Sequence, residues 1–330
     1  MTNTVGQLED VQAQLPSLRV SLSRVGVTNV EKVIRLRSGS AEQLYMARLD
    51  CFVDLGPRQK GAHMSRFEEV VNDAIGEVVL GEVAFRAETL AQHIAEKIRD
   101  RQGAQRAEVR IGARYPEHKP APVSGIPTQE IYSLIGAAVA SEVGTRRLIG
   151  VRAQGMTACP CAQKLVEGRS RERLEDDGFS AEEIERIFAA VPVATHNQRG
   201  LGTLSIGCPE DCANDIDAER LLAIVEDSMS SEIYELMKRS DEGAVVEKAH
   251  RRPRFVEDCV REMIRGVVEQ FDELTDRHFV SARQENLETI HQHNVTAERF
   301  GLLGEIRREL ASGEHSPHHV SAREWLDGRA

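Results

Sequence analysis

Residues 43–55 read QLYMARLDCFVDL, and the fold is read outward from this run. Leu49, Cys51, Val53 and Leu55 fall on one face, with Arg48, Asp50 and Asp54 among those on the other. That period of two is the mark of a half-buried strand. Immediately afterwards the period changes. Phe67, Val70, Val71, Ala74 and Ile75 recur at helical spacing, and Leu90, Ile94, Ala95 and Ile98 mark a second helix. Upstream, SLRVSLSRVGV (17–27) alternates Leu18, Val20 and Leu22 with Arg19, Ser21 and Ser23, which predicts the preceding strand. Downstream, Val109, Ile111 and Ala113 alternate with Arg110, Gly112 and Arg114, predicting a strand over 107–115. PEHKPAPVSGIP (116–127) reads as a loop, 128–143 as a helix and 147–156 as extended chain.

The second half repeats the order. Ser180-Ala-Glu-Glu183 matches a capping box and predicts an inserted helix near 180–190. A strand at 201–206, helices at about 217–239 and 254–273, and a strand at 278–286 follow. Strand–strand–helix–helix–strand–strand is thus expected twice, which implies an α+β architecture: antiparallel sheet with helices on one face. The expected divisions are a polar N-terminal segment (1–15), a first unit (16–145), a second unit (146–313) and a His-rich, polar, loose tail (314–330).

The formal charge of −11 argues against a general nucleic-acid or anionic-membrane binder, because the whole-molecule field repels polyanions. No apolar run approaches the roughly 20 residues that span a bilayer, and Glu9 and Asp10 stand where a signal peptide needs a basic start. A cytoplasmic protein is expected. Six cysteines are too few for a disulfide scaffold in 330 residues, so clustered ones read first as metal or catalytic candidates.

Five stretches carry possible chemistry. In GMTACPCAQ (155–163), Cys159 and Cys161 stand one residue apart, a spacing that rarely closes a disulfide, so one can face a site while the other packs elsewhere. THNQRG (195–200) offers His196 as ligand or acid/base, Arg199 as an anion contact, and Asn197 and Gln198 as positioners. SSEIYELMKRSDEGAVVEKAH (230–250) contains Glu232 and Glu247, which taken alone read as surface charge. ETIHQHN (288–294) sets Glu288 three residues before His291, so a helix would place that pair on one face, whereas an extended run would pair His291 with His293. RQKGAHMSRF (58–67) puts Arg58, Lys60, Ser65 and Arg66 before a helix start, where unpaired N–H groups favour an anion. Cys208-Pro-Glu-Asp-Cys212 has half-site spacing without an evident other half.

Taken in order, KGAHMSR, GMTACPCAQ, THNQRG, SSEIYELMKRSDE…VE and ETIHQHN resemble the type IB GTP cyclohydrolases, and in GMTACPCAQ and THNQRG their archaeal MptA branch. The likeness runs from Asp10 to about Arg299. It implies the tunnelling fold (T-fold), two tandem ββααββ-type units, and a homotetramer with active sites at subunit interfaces. It implies Cys159, His196, Glu232 and His291 as metal ligands or their neighbours, with Glu288 beside them, and catalysis by Cys159, His196, His291 and Glu288. Glu247 is similar to the family's purine anchor, and Lys60, His63, Ser65 and Arg66 fall near the triphosphate, with Arg199 as a further substrate contact. The implied reaction opens the guanine imidazole ring of GTP at C8, releases formate and forms a 7,8-dihydroneopterin product. The archaeal branch suggests the 2′,3′-cyclic phosphate and Fe(II), with Zn(II) or Mn(II) as alternatives. The bacterial branch would give dihydroneopterin triphosphate, and a non-catalytic nucleotide- and metal-binding T-fold protein is the remaining rival.

Overall fold

Alternating segments of this length satisfy their backbone groups by pairing with their sequence neighbours, and they do so almost without exception. A computed structural model describes residues 10–38, 41–80, 86–213, 215–314 and 316–329; the first nine residues of the N-terminal segment lie outside the described residues. β1 (Leu22–Ser38), β2 (Ala41–Leu55), β3 (Ala107–Pro120), β4 (Pro127–Ser141), β5 (Gly144–Ala158), β6 (Asn197–Cys208), β8 (Phe279–Leu287) and β9 (Val295–Leu302) form one antiparallel sheet in that order. A short β7 (Ser231–Glu232) pairs with β5 off this path.

Between β2 and β3 run α1 (Met64–Leu80) and α2 (Ala87–Gln102); between β6 and β8 run α5 (Ala218–Ser228) and α7 (Val256–Gln270). This is the tandem ββααββ order of a T-fold. Interruptions fall in the second half: α3 (Pro160–Asp176) and α4 (Ala181–Ala190) between β5 and β6, and β7 with α6 (Arg239–Arg251) between α5 and α7. Phe67, Leu90, Ile94 and Ile98 from the helices meet Leu49, Ile111, Leu204 and Val280 from the sheet in one buried core. Among the described residues no helix is long and apolar enough to cross a membrane.

Several expectations need correction. The first strand begins at Leu22, and Leu18 and Val20 are exposed. Most of 128–143 is not a helix but β4, paired with β3 over 127–140 and with β5 over 133–141. Alternation fades there because both faces are covered, and a doubly buried strand loses its period of two. On one face a Cβ at Gly136 would lie 2.4 Å from the Ala87 carbonyl carbon of α2. On the other, Ala137 and Val139 pack with Leu148, Phe279, Val320, Trp325 and Leu326. That second cluster also corrects the tail. α9 (Ala322–Leu326) is docked, with Trp325 buried, stacked on Phe279 at 5.6 Å, and its indole N–H donating to the Arg277 carbonyl at 3.2 Å. The helix expected over 217–239 stops at Ser228. α3, β9 and α8 (Leu303–Ser312) were not foreseen in the sequence pattern.

Candidate active site

Strand pairing assembles most of the flagged motifs at one end of the sheet. β5 ends at Ala158 opposite Asn197, the first residue of β6, while Arg199 of β6 faces Leu287, the last residue of β8. Cys159, His196 and Glu288 each lie one residue beyond one of these strand ends. β7 adds Glu232 by pairing it with Gly155.

Cys159 is the N-cap of α3, its Sγ accepting from the Ala162 N–H at 3.5 Å, and Pro160 follows at the first helical position. Its own N–H donates to the His196 carbonyl at 3.1 Å, and the Thr195 hydroxyl donates to its carbonyl at 2.9 Å. The thiol is therefore half-buried at a helix N-terminus, whereas Cys161 is exposed. His196 Nδ1 lies 3.1 Å from Gln198 Oε1 and 3.8 Å from Glu288 Oε2. Gln198 uses its amide N–H on the Thr157 hydroxyl at 3.1 Å, which leaves Oε1 to accept. Nδ1 then carries the proton and Nε2 keeps its lone pair, the tautomer that a metal-binding imidazole needs. Glu232 is held by Lys248 of α6, at 2.6 and 2.8 Å from its two oxygens.

Other flagged residues are placed differently. His291 is exposed in the irregular β8–β9 connection, neither helical nor extended, and stacks on His293 at 5.2 Å. Glu247 lies on the exposed side of α6, paired with Arg251 at 2.8 Å. Arg199 is exposed on β6. Among the described residues, Cys159, His196, Glu232 and His291 do not form a donor cluster within 4.8 Å; the one such group is elsewhere. Lys60 and His63 lie between β2 and α1, and Ser65 and Arg66 in the first turn of α1, at the opposite end of the sheet. At about 3.3 Å per residue, roughly 40–50 Å along the strands separates them from Cys159. Lys60 and Ser65 are exposed, His63 pairs with Asp10 at 3.4 Å, and Arg66 donates to the Arg101 carbonyl at 3.3 Å.

Residues not singled out in the sequence as candidates complete the surroundings. Lys248 could be recognised only once β7 set Glu232 beside α6. Gln163, the last residue of GMTACPCAQ, ties α3 to the Val193 and His250 carbonyls at 2.7 and 2.6 Å. Lys119 and the Tyr132 hydroxyl both meet Glu226 Oε1, at 2.6 and 2.7 Å. Burial, then that carboxylate, pushes the Tyr132 phenol far above its ordinary range. Asp241 accepts from the Val123, Ser124 and Lys238 N–H groups at 2.8 Å and from the Ser124 hydroxyl at 2.7 Å. Burial alone would raise its carboxyl, but these hydrogen bonds outweigh it and hold the group well below the usual range. The motif's SDE aspartate thus clamps the β3–β4 turn to α6.

Together these features define a two-unit antiparallel T-fold protein bearing a half-buried Cys–His–carboxylate site at one strand end. Residues 8–297 match the family described as type I GTP cyclohydrolase folE2. The chain belongs to that family and is an enzyme of its class. It is 41% identical over 311 residues to GTP cyclohydrolase MptA of Methanococcus maripaludis strain C5, covering 92% of this chain and 98% of the relative. The MptA of Methanoculleus marisnigri is 42% identical over 313 residues, covering 93% and 99%. That of Methanocaldococcus jannaschii is 40% identical over 311 residues, covering 92% and 98%. Among solved structures, uricase from Arthrobacter globiformis is similar with a TM-score of 0.49 at 8% identity, covering 90% of this chain and 96% of that one. A uricase from Bacillus fastidious gives 0.48 at 10%, covering 89% and 98%.

Proposed function

We propose that the chain is a GTP cyclohydrolase of the MptA type: it hydrolyses the guanine imidazole ring of GTP at C8, releases formate and yields 7,8-dihydroneopterin 2′,3′-cyclic phosphate. The observation that carries the reading is the convergence of Cys159, His196, Glu232 and Glu288 at one strand end in a chain that matches this family along most of its length.

The donor set fits a divalent transition metal, since thiolate, imidazole and carboxylate together suit Fe(II), Zn(II) or Mn(II). Cys159, His196, Glu232 and His291 would hold it, and when bound it supplies a hydroxide-like water near neutral pH. Glu288, 3.8 Å from His196, steadies the imidazole and can take or return a proton during formamide hydrolysis. Glu247 would accept from guanine N1–H and the 2-amino group; adenine lacks both donors, so this contact discriminates. Arg199 would meet the phosphates from the same chain.

Lys60, His63, Ser65 and Arg66 cannot reach that end within one chain, so a neighbouring copy would bring its own to the site. β1 and β9 are open sheet edges among the described residues, and Val33, Leu44 and Met46 expose apolar surface near one of them. Unpaired edges invite pairing with another chain. A closed homo-oligomer, the tetramer implied by the resemblance, would satisfy them.

The test is anaerobic incubation with GTP and, separately, Fe(II), Mn(II) or Zn(II), with formate and product mass as readouts. Formate and the mass of the cyclic phosphate are expected, with Fe(II) the best activator. The triphosphate mass would move the chain to the bacterial-type reaction, and stoichiometric GTP binding without formate would overturn catalysis. Cys159→Ala should abolish formate release with an unchanged circular dichroism spectrum. Glu247→Ala should weaken GTP binding at least about 100-fold, as when a site loses hydrogen-bonding partners for a substrate edge, while leaving metal content unchanged. Co-refolding Cys159→Ala with Lys60→Ala should restore activity that neither has alone; no recovery would rule out the shared site.

A further inference from the structure

The end of the sheet opposite Cys159 holds a second cysteine–histidine group that the proposed reaction does not use. Cys208 is the last residue of β6, and Cys212 closes the following turn, its N–H donating to the Pro209 carbonyl at 3.1 Å. His278 immediately precedes β8, and the pairing of Gly207 with Phe279 brings it alongside. Cys212 Sγ and His278 Nε2 are 3.4 Å apart, and the two sulfurs and the ring nitrogen all lie within 4.8 Å of one another. Tetrahedral coordination with Zn–S of about 2.3 Å and Zn–N of about 2.0–2.1 Å requires an S···N separation of roughly 3.5 Å.

The setting suits an ion. Cys208 and His278 are each 2% exposed. Thr275 fixes the ring through Nδ1, which lies 3.1 Å from its N–H, 3.0 Å from its hydroxyl and 3.2 Å from its carbonyl, and Nε2 is left facing the sulfurs. Ligating histidines are ordinarily fixed through their other nitrogen in this way. The loop's carboxylates are engaged elsewhere: Glu210 pairs with Arg146 and Arg277, and Asp211 with Arg277. Two thiolates therefore supply the charge that neutralises a divalent ion, and burial of a neutral complex avoids the cost of an unpaired buried charge.

We propose that Cys208, Cys212 and His278 form a structural site for a thiolate-preferring divalent ion of the Zn(II) class, with water or a further donor in the fourth position. β6 spans 12 residues, so at about 3.3 Å each the site lies roughly 35 Å from Cys159. It fastens the β6–α5 connection to the α7–β8 connection, joining two segments 66 residues apart.

The experiment uses full-length Cys159→Ala protein, which removes the thiol of the proposed active-site metal centre. Anaerobic titration with Co(II) should give one equivalent of tetrahedral, thiolate-bound ion, seen as near-ultraviolet charge transfer and strong visible bands, and Zn(II) should displace it. Cys212→Ala and His278→Ala, each added to this background, should weaken binding by at least the roughly 10–100-fold seen when even an outer-shell partner is lost. Peptide mapping after maleimide labelling supplies a measurement that needs no further variant: Zn(II) should protect the half-buried Cys212, and a chelator should restore its labelling. Absence of the thiolate–Co(II) bands, bands indifferent to both substitutions, labelling indifferent to Zn(II), or a Cys208–Cys212 disulfide in freshly purified protein would each overturn the proposal.

Discussion

In the first half of the sheet, β2 passes to β3 through two helices that pack on the sheet without interruption, and only the residues around the start of α1 enter the proposed site, in a neighbouring copy. In the second half the same passage is broken twice, by α3–α4 after β5 and by β7–α6 after α5. Cys159 caps the first insert, His196 ends it, and Glu232 and Glu247 lie on the second. On the proposed assignment the repeated core is a scaffold, and most of the chemistry is grafted onto what interrupts it. If so, substitutions in the buried core of the plain half should change stability and leave the chemistry of folded molecules alone, and substitutions in the inserts should do the reverse.

The largest stability effect is expected in the plain half. Ile94 of α2 is fully buried in the main core. Ile94→Ala leaves a cavity there and should destabilise by about 2–5 kcal/mol, read as a lower denaturation midpoint in urea. Formate release per folded molecule should be unchanged. A loss of turnover in protein that remains folded would break the separation.

Legibility in the sequence followed the same division. α1, α2, β2 and β3 bury one face each, so their periods survive in the sequence. β4 is covered on both sides and its Ala-rich run mimics a helix. α3 buries little besides Gln163, so it carries no apolar stripe from which to infer it. The order of the motifs was visible, but their distances were not. Cys159, His196 and Glu288 meet only through the β5–β6–β8 pairing, and the same pairing supplies His278 to the half-site at Cys208 and Cys212. Nothing in a linear motif shows that Lys60 lies at the far end of the sheet.

A pH experiment probes the seam between the halves. Glu88, in the first turn of α2, is 3% exposed, with Oε2 unpartnered. Burial pushes its carboxyl from an ordinary 4.5 to about 7, opposed only in part by a backbone hydrogen bond and by Arg86 and by Arg147 of β5. Since the folded value exceeds the unfolded one, the native state binds more protons between them. Stability therefore falls as pH rises from about 4.5 to 7, by about 3 kcal/mol on an order-of-magnitude reckoning. Glu88→Gln should remove this slope and leave the protein more stable at pH 8 than the parent. Parallel stability–pH curves for the two proteins would show that the seam is wetter than its geometry indicates.

The smallest effect tests whether an insert is energetically its own unit. Ser180 caps α4, accepting from the Glu183 N–H at 3.4 Å, while the Glu183 carboxylate accepts from the Ser180 N–H at 2.9 Å. Removing such a cap costs about 1 kcal/mol. The last carbonyls of α4, at Ala189 and Ala190, accept from Arg251, whose Nε–H holds Glu247. Fraying of α4 in Ser180→Ala should thus reach Glu247, the proposed guanine contact, through one guanidinium group. Amides of 181–190 should exchange faster and the KM for GTP should rise by at most about 5-fold, the equivalent of about 1 kcal/mol. Exchange across α2 and β2 should stay at the parent rate, because none of these contacts touches the first half's core. If α2 loosened in step with α4, the insert would be part of the scaffold's cooperative unit, and the contrast between the two halves would hold for sequence order alone.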